Sequence, residues 1–134
     1  MLQFELKYRV CYADTDKMGY MYYGNYARLY EIGRVEMLRS LGVSYKDLED
    51  SGVGLPVFEN YSKYHQPAKY DDLLTIKCQI KELPAVRIVF NYLIENEEGV
   101  LIHEGKTSLV FMQMETQKVI RVPANVLTAI ESKF

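Results

Sequence analysis

The chain has 134 residues, 49% of them apolar and 25% charged, the make-up of an ordinary soluble globular protein. Sixteen basic residues against 18 acidic ones leave a net charge of −2 with no basic run, which excludes a nucleic-acid footprint. Cys11 and Cys78 are too few for a disulfide scaffold or a zinc knuckle, Met1–Lys7 lacks a signal-peptide pattern, and no stretch approaches the ~18 apolar residues of a membrane span. These features predict one cytoplasmic domain over residues 1–134, with reduced thiols and with neither nucleic acid nor membrane as partner. Twelve tyrosines and no tryptophan is a lopsided aromatic choice. A tyrosine joins apolar area to a polar tip, which suits a subunit interface or the wall of a partly wet cleft.

Residues 2–12 alternate, with Leu2, Phe4, Leu6, Tyr8, Val10 and Tyr12 set against polar neighbours, the period of a strand with one face in the core. Ala13 to Gly19 breaks that period and reads as a loop. From Tyr26 the spacing turns helical through Leu29, Tyr30, Gly33, Met37 and Leu41, with Asn25 as the predicted N-cap and Gly42 as the stop. Ile32, Val35 and Leu38 make this helix apolar over more than one stripe, so its surroundings should wrap it. Ser44–Ser51 is predicted as a short helix capped by Ser44. Strands follow at 55–64 (weakened by Pro56), 74–80, 88–94, 100–114 and 119–122, with a hairpin turn at Asn96-Glu97-Glu98-Gly99. Pro123 then opens a C-terminal helix. The order predicts an α+β protein, an antiparallel sheet folded around one helix. The run Leu109–Met112, apolar on both faces, suggests that a second subunit covers the outer side of the sheet.

Routine catalytic motifs are absent: no nucleophile elbow, phosphate loop, paired-cysteine site or HExxH. His103, beside Glu104, reads as a solvated strand residue, and His65, before Gln66-Pro67, as a loop or strand end. A Ser62/His65/Asp71 triad would need three residues near one turn to converge, and it is set aside. Glu31/Arg34 and Glu36/Arg39 have the spacing of helix ion pairs. What stands out is the loop from Tyr12 to Tyr26, which brings Asp14 and Asp16 within reach of the start of a buried helix. Such an end offers unpaired N–H groups and the positive pole of the helix dipole. A carbonyl placed there would have its developing charge stabilised, and a nearby carboxylate could act as base or nucleophile. Gly24 would let a ligand approach the backbone. Asp and Gly are also what any strand-to-helix turn needs. The loop alone does not decide function.

Asp14-Thr15-Asp16 with Gly19, followed by Tyr23-Gly24-Asn25-Tyr26, resembles the hot-dog-fold acyl-CoA thioesterases, in particular the 4-hydroxybenzoyl-CoA thioesterase family. Ala68–Leu74 resembles that family's turn into its third strand, and Ile120-Arg121-Val122-Pro123 its approach to the C-terminal helix. The likeness covers nearly the whole chain. It implies an antiparallel five-stranded sheet wrapped around one long central helix, and hydrolysis of acyl-coenzyme A with no cofactor and no metal. It also implies a homodimer or homotetramer. Carried over residue by residue, it makes Asp16 the catalytic carboxylate and the backbone N–H of Tyr23 the carbonyl polariser, with Tyr22, Gly24 and Asn25 expected at the substrate. Many relatives have histidine where this chain has Tyr23; a backbone donor survives that change. Arg87 and Lys69 are candidate phosphate holders. The rival readings are a non-catalytic acyl-CoA or acyl-carrier-protein binding module and a dehydratase, which would need a histidine and an acid near the helix.

Overall fold

A computed structural model describes all 134 residues. In chain order it contains β1 (Leu2–Arg9), a single 3-10 turn at Tyr12–Asp14, α1 (Asn25–Ser40), α2 (Tyr45–Asp50), β2 (Val53–Gly54), β3 (Val57–Tyr64), β4 (Leu73–Ile80), β5 (Arg87–Glu95), β6 (Leu101–Gln113), β7 (Lys118–Ile120) and α3 (Ala124–Glu131). Five long strands are antiparallel in the order β1-β4-β5-β6-β3, so the predicted sheet around one helix is present. The sheet has seven strands rather than five, because β6 outruns its neighbours. Its far end is flanked by the short β2 and β7, which pair with Met112 and Gln113 from opposite sides. Pro56 separates β2 from β3: it lacks an N–H, and its carbonyl accepts from Val110 instead.

The core lies between α1 and the concave face of the sheet. Leu74, Ile76, Ile88, Phe90, Ile94 and Leu109 point inward to meet Leu29, Tyr30, Met37 and Leu38 of α1. Each such aliphatic or aromatic side chain contributes about 1.5–3 kcal/mol relative to leaving it in water. Gly105 matters here, since a Cβ at that position would collide with the Tyr30 ring. The missing side chain lets Tyr30 lie on the β6 backbone while its other neighbour, Tyr92, stacks at 4.2 Å.

The outer face is knitted across strands by polar side chains. Lys7 Nζ donates to Thr75 Oγ1 (2.7 Å), Gln79 Nε2 to Gln3 Oε1 (2.8 Å), and Lys77 pairs with Glu95 (2.9 Å). This face of β1 and β4 is therefore polar, whereas β5 presents Val89 and Leu93 on it, each half-buried. The doubly apolar Leu109–Met112 run has a local reason: Leu109 and Phe111 enter the core, and Val110 and Met112 are half-buried where β6 meets the β2 and β7 flanks. No helix is long and apolar enough to cross a membrane.

Candidate active site

The two loop carboxylates have opposite environments. Asp14 is buried, and its Oδ2 accepts from the Cys11 N–H (3.0 Å), the Tyr8 hydroxyl (2.7 Å) and the Cys11 thiol (3.2 Å), while Arg28 holds Oδ1. Burial by itself would push this carboxyl up, but the Cys11 N–H, the Tyr8 and Cys11 side chains and the Arg28 guanidinium together hold it below the ordinary range. The Asp14 carbonyl accepts from Tyr22 N (2.8 Å) and from Asn25 Nδ2 (2.7 Å). Asn25 is thus not the N-cap that the sequence predicted. Gly24 holds that place with no side-chain cap, and the Asn25 amide is committed to clasping the loop.

Asp16 faces the other way. Its Oδ1 accepts from Met18 N (2.9 Å) and Tyr20 N (3.2 Å), closing a tight turn in which Gly19 takes φ +82°. No hydrogen bond within the chain reaches its second carboxylate oxygen, and the residue lines a cavity of about 330 Å³. The walls are Met18, Tyr20, Met21, Tyr23, Tyr26, Tyr64 and Pro67; Asp16, His65 and Gln66 are the polar members. Burial pushes the Tyr26 hydroxyl up to about 12, with Tyr64 adding to the effect, so at neutral pH it is a phenol rather than a base.

The start of α1 borders this cavity. Tyr22 N and Asn25 N are engaged, the latter with Tyr22 O at 2.9 Å, whereas the N–H groups of Tyr23 and Gly24 meet no protein acceptor. Of the five positions expected at the site, Asp16 and Tyr23 line the cavity, while Tyr22, Gly24 and Asn25 are not among its lining residues. Gly24 serves a packing purpose: the Tyr22 ring lies over it, 2.6 Å from where a Cβ would be.

Of the two histidines, His103 departs from its expected place. His103 is fully buried, because it pairs in register with Tyr64 and Ile94, and paired residues share a face. Its ring stacks on Tyr26 at 3.8 Å and meets Tyr64 edge-on, and its Nε2 is hydrogen-bonded to Tyr30 OH, which also contacts Ser62 Oγ at 2.7 Å. Burial, with the nearby His65 adding to it and Glu104 opposing, lowers its pKa to about 4, so it is neutral. His65 sits at the strand end as expected, but it lines the Asp16 cavity and binds Glu104 Oε2 at 2.7 Å. A histidine–acid pair thus does occur beside the helix start. Sequence periodicity could not show this, because it depends on how β3 pairs with β6.

The Ser62/His65/Asp71 triad does not form, since Ser62 bonds Tyr30 and His65 bonds Glu104. Glu36 and Arg39 do pair (3.4 Å), but Arg34 is buried and turns to the hydroxyls of Tyr45 and Tyr92 instead of to Glu31. Lys69 is exposed and its backbone bridges to Tyr20 on the cavity wall. Arg87 is at the far end of β5, seven residues or roughly 24 Å from Ile94, on the outer face with Lys81 and Lys106.

The chain matches the family model described as the thioesterase-like superfamily over residues 10–130. It is 32% identical to the acyl-CoA thioester hydrolase YbgC of Escherichia coli over 119 residues, 89% of each chain. Among solved structures it is similar to the DHNA-CoA thioesterase of Staphylococcus aureus (35% identity, TM-score 0.87, 90% of this chain and 81% of that one). It is also similar to Slr0204, a 1,4-dihydroxy-2-naphthoyl-CoA thioesterase of Synechocystis (25% identity, TM-score 0.89, covering 96% and 95%). A hot-dog fold, a cavity at the start of its central helix and a family match across most of its length lead to one assignment: the chain belongs to the thioesterase-like superfamily and is a thioester hydrolase.

Proposed function

We propose that the protein hydrolyses acyl-coenzyme A thioesters to the free acid and coenzyme A, with Asp16 as the general base toward water or as the nucleophile. The observation that carries this reading is that Asp16, with one carboxylate oxygen free of protein partners, lines the same aromatic cavity as Tyr23, whose N–H at the start of α1 meets no protein acceptor. A carbonyl held by the Tyr23 N–H would have its developing oxyanion stabilised by a donor already in place. The modest equipment suits the bond. A thioester lacks amide resonance, and a thiol of pKa near ~8.5 is a far better leaving group than the amine of an amide. Tyr22, Gly24 and Asn25 then act by shaping the helix start. Lys69, beside the cavity wall, is better placed than Arg87 to meet a phosphate of a coenzyme bound to the same subunit. The relatives' names favour coenzyme A as the carrier thiol, and we place the protein in the cytoplasm as a homodimer or homotetramer.

The test is thiol release across short, long and aromatic acyl-CoAs, with Asp16→Asn alongside. Turnover by the parent and its loss in the variant support the reading. Undiminished turnover by Asp16→Asn overturns the role of the carboxylate, and binding without turnover by the parent would instead make the protein a carrier module.

A further inference from the structure

We propose that His65, held by Glu104, is a second proton-handling group of the Asp16 cavity and delivers the proton taken up by the departing thiol sulfur. The inference rests on the thioesterase reading and adds a residue to it. Asp16 and His65 are the one carboxylate and the one imidazole lining the cavity, and they come from separate segments, the β1–α1 loop and the end of β3. The residue is held at both its backbone and its side chain. Its backbone N–H donates to Ile102 O at 2.9 Å, and its Nε2–H donates to Glu104 Oε2 at 2.7 Å. Glu104 is available for this because its cross-strand neighbour Lys63 makes no ion pair with it. A carboxylate accepts only, so the Nε2 proton is committed to Glu104, and Nδ1, which has no protein partner, is the nitrogen that can give up a proton to a ligand.

The step balances with water as the only co-reactant. The carbonyl carbon gains an oxygen, from water directly or through an Asp16 anhydride that water then opens. The C–S bond breaks with its electron pair on sulfur. The Nδ1 proton moves to that sulfur, leaving a neutral His65 still bonded to Glu104, and a proton of the consumed water restores it. His65 would be a catalytic residue and Glu104 its positioning residue.

A general acid aimed at the leaving group matters only when that group is a poor one. The experiment therefore compares two thioesters of the best-turned-over acyl group, one of an N-acylated cysteamine (an alkyl thiol) and one of an aryl thiol that leaves readily as thiolate. His65→Gln should lower kcat on the alkyl thioester about ten- to a hundred-fold and on the aryl thioester less than about threefold. Glu104→Ala should show the same selectivity to a smaller degree. Thermal midpoints are measured in parallel to show that both variants are folded. Equal losses on the two thioesters, a larger loss on the aryl one, or no loss on either overturns the proposal. Asp16→Asn is run on the same pair: its loss on both, with an unselective His65→Gln, leaves the hydrolase reading standing and removes only the role given to His65.

Discussion

Asp14 and Asp16 are chemically identical, two residues apart, and part of one turn, yet the fold uses them in opposite ways. Asp14 is enclosed by Tyr8, Cys11 and Arg28, with both oxygens engaged. Asp16 spends one oxygen on its own turn, leaves the other without a protein partner, and lines the cavity. The difference teaches that a carboxylate's role is set by what remains unsatisfied after the backbone has folded. A carboxylate with every lone pair engaged stabilises structure, whereas a held carboxylate with one free oxygen can act on a ligand.

The largest test of this contrast is Asp16→Asn. Asparagine Oδ1 can keep accepting from Met18 and Tyr20, so the fold should hold within about 0.5 kcal/mol. Turnover of acyl-CoA should fall about a hundred- to ten-thousand-fold, measured as kcat by thiol release. Next in size is the acid response of His103, which backs the cavity wall through Tyr26. Its folded pKa of about 4 is below its ordinary 6.5, so as the pH falls the unfolded chain takes up the proton first. The stability contributed by neutral His103 is complete above about pH 6.5 and disappears as the pH drops toward 4, a loss on the order of 3 kcal/mol. Urea midpoints at pH 7 and 4.5 should therefore diverge more in the parent than in His103→Phe. Asp14→Asn should cost about 2 kcal/mol through lost charge-assisted bonds, read as a lowered thermal midpoint, with kcat of the folded enzyme falling far less than in Asp16→Asn. Smallest is Tyr23→Phe: if the residue acts through its backbone N–H, kcat should stay within about threefold of the parent.

Much of this was legible in the chain itself. The period-two run of β1, the helical spacing of α1, the Ser44 cap and the Asn96–Gly99 turn are local patterns, and the structure reproduces them. β7 falls on the strand expected at 119–122, whereas β2 was hidden because it is a two-residue piece that exists only by pairing with β6. The Asn25 cap failed because its amide found a better acceptor in Asp14 O, eleven residues back. The burial of His103 and the surroundings of His65 were hidden for one shared reason. Which face of β6 residue 103 occupies, and which strand end residue 65 reaches, follow from the register Tyr64↔His103, a pairing between segments 39 residues apart. The placement of Asp16 came from family likeness, since composition alone could not separate it from Asp14.

The bare backbone at Gly105 has a consequence away from its own position. The Tyr30 ring sits where a methyl group would go, so Gly105→Ala would act as a wedge driven between helix and sheet. Tyr30 also holds His103, and His103 supports Tyr26 in the cavity wall. A single carbon added in the interior should thus be felt as a misshapen binding surface one helical turn away, a functional defect originating at a residue no substrate touches.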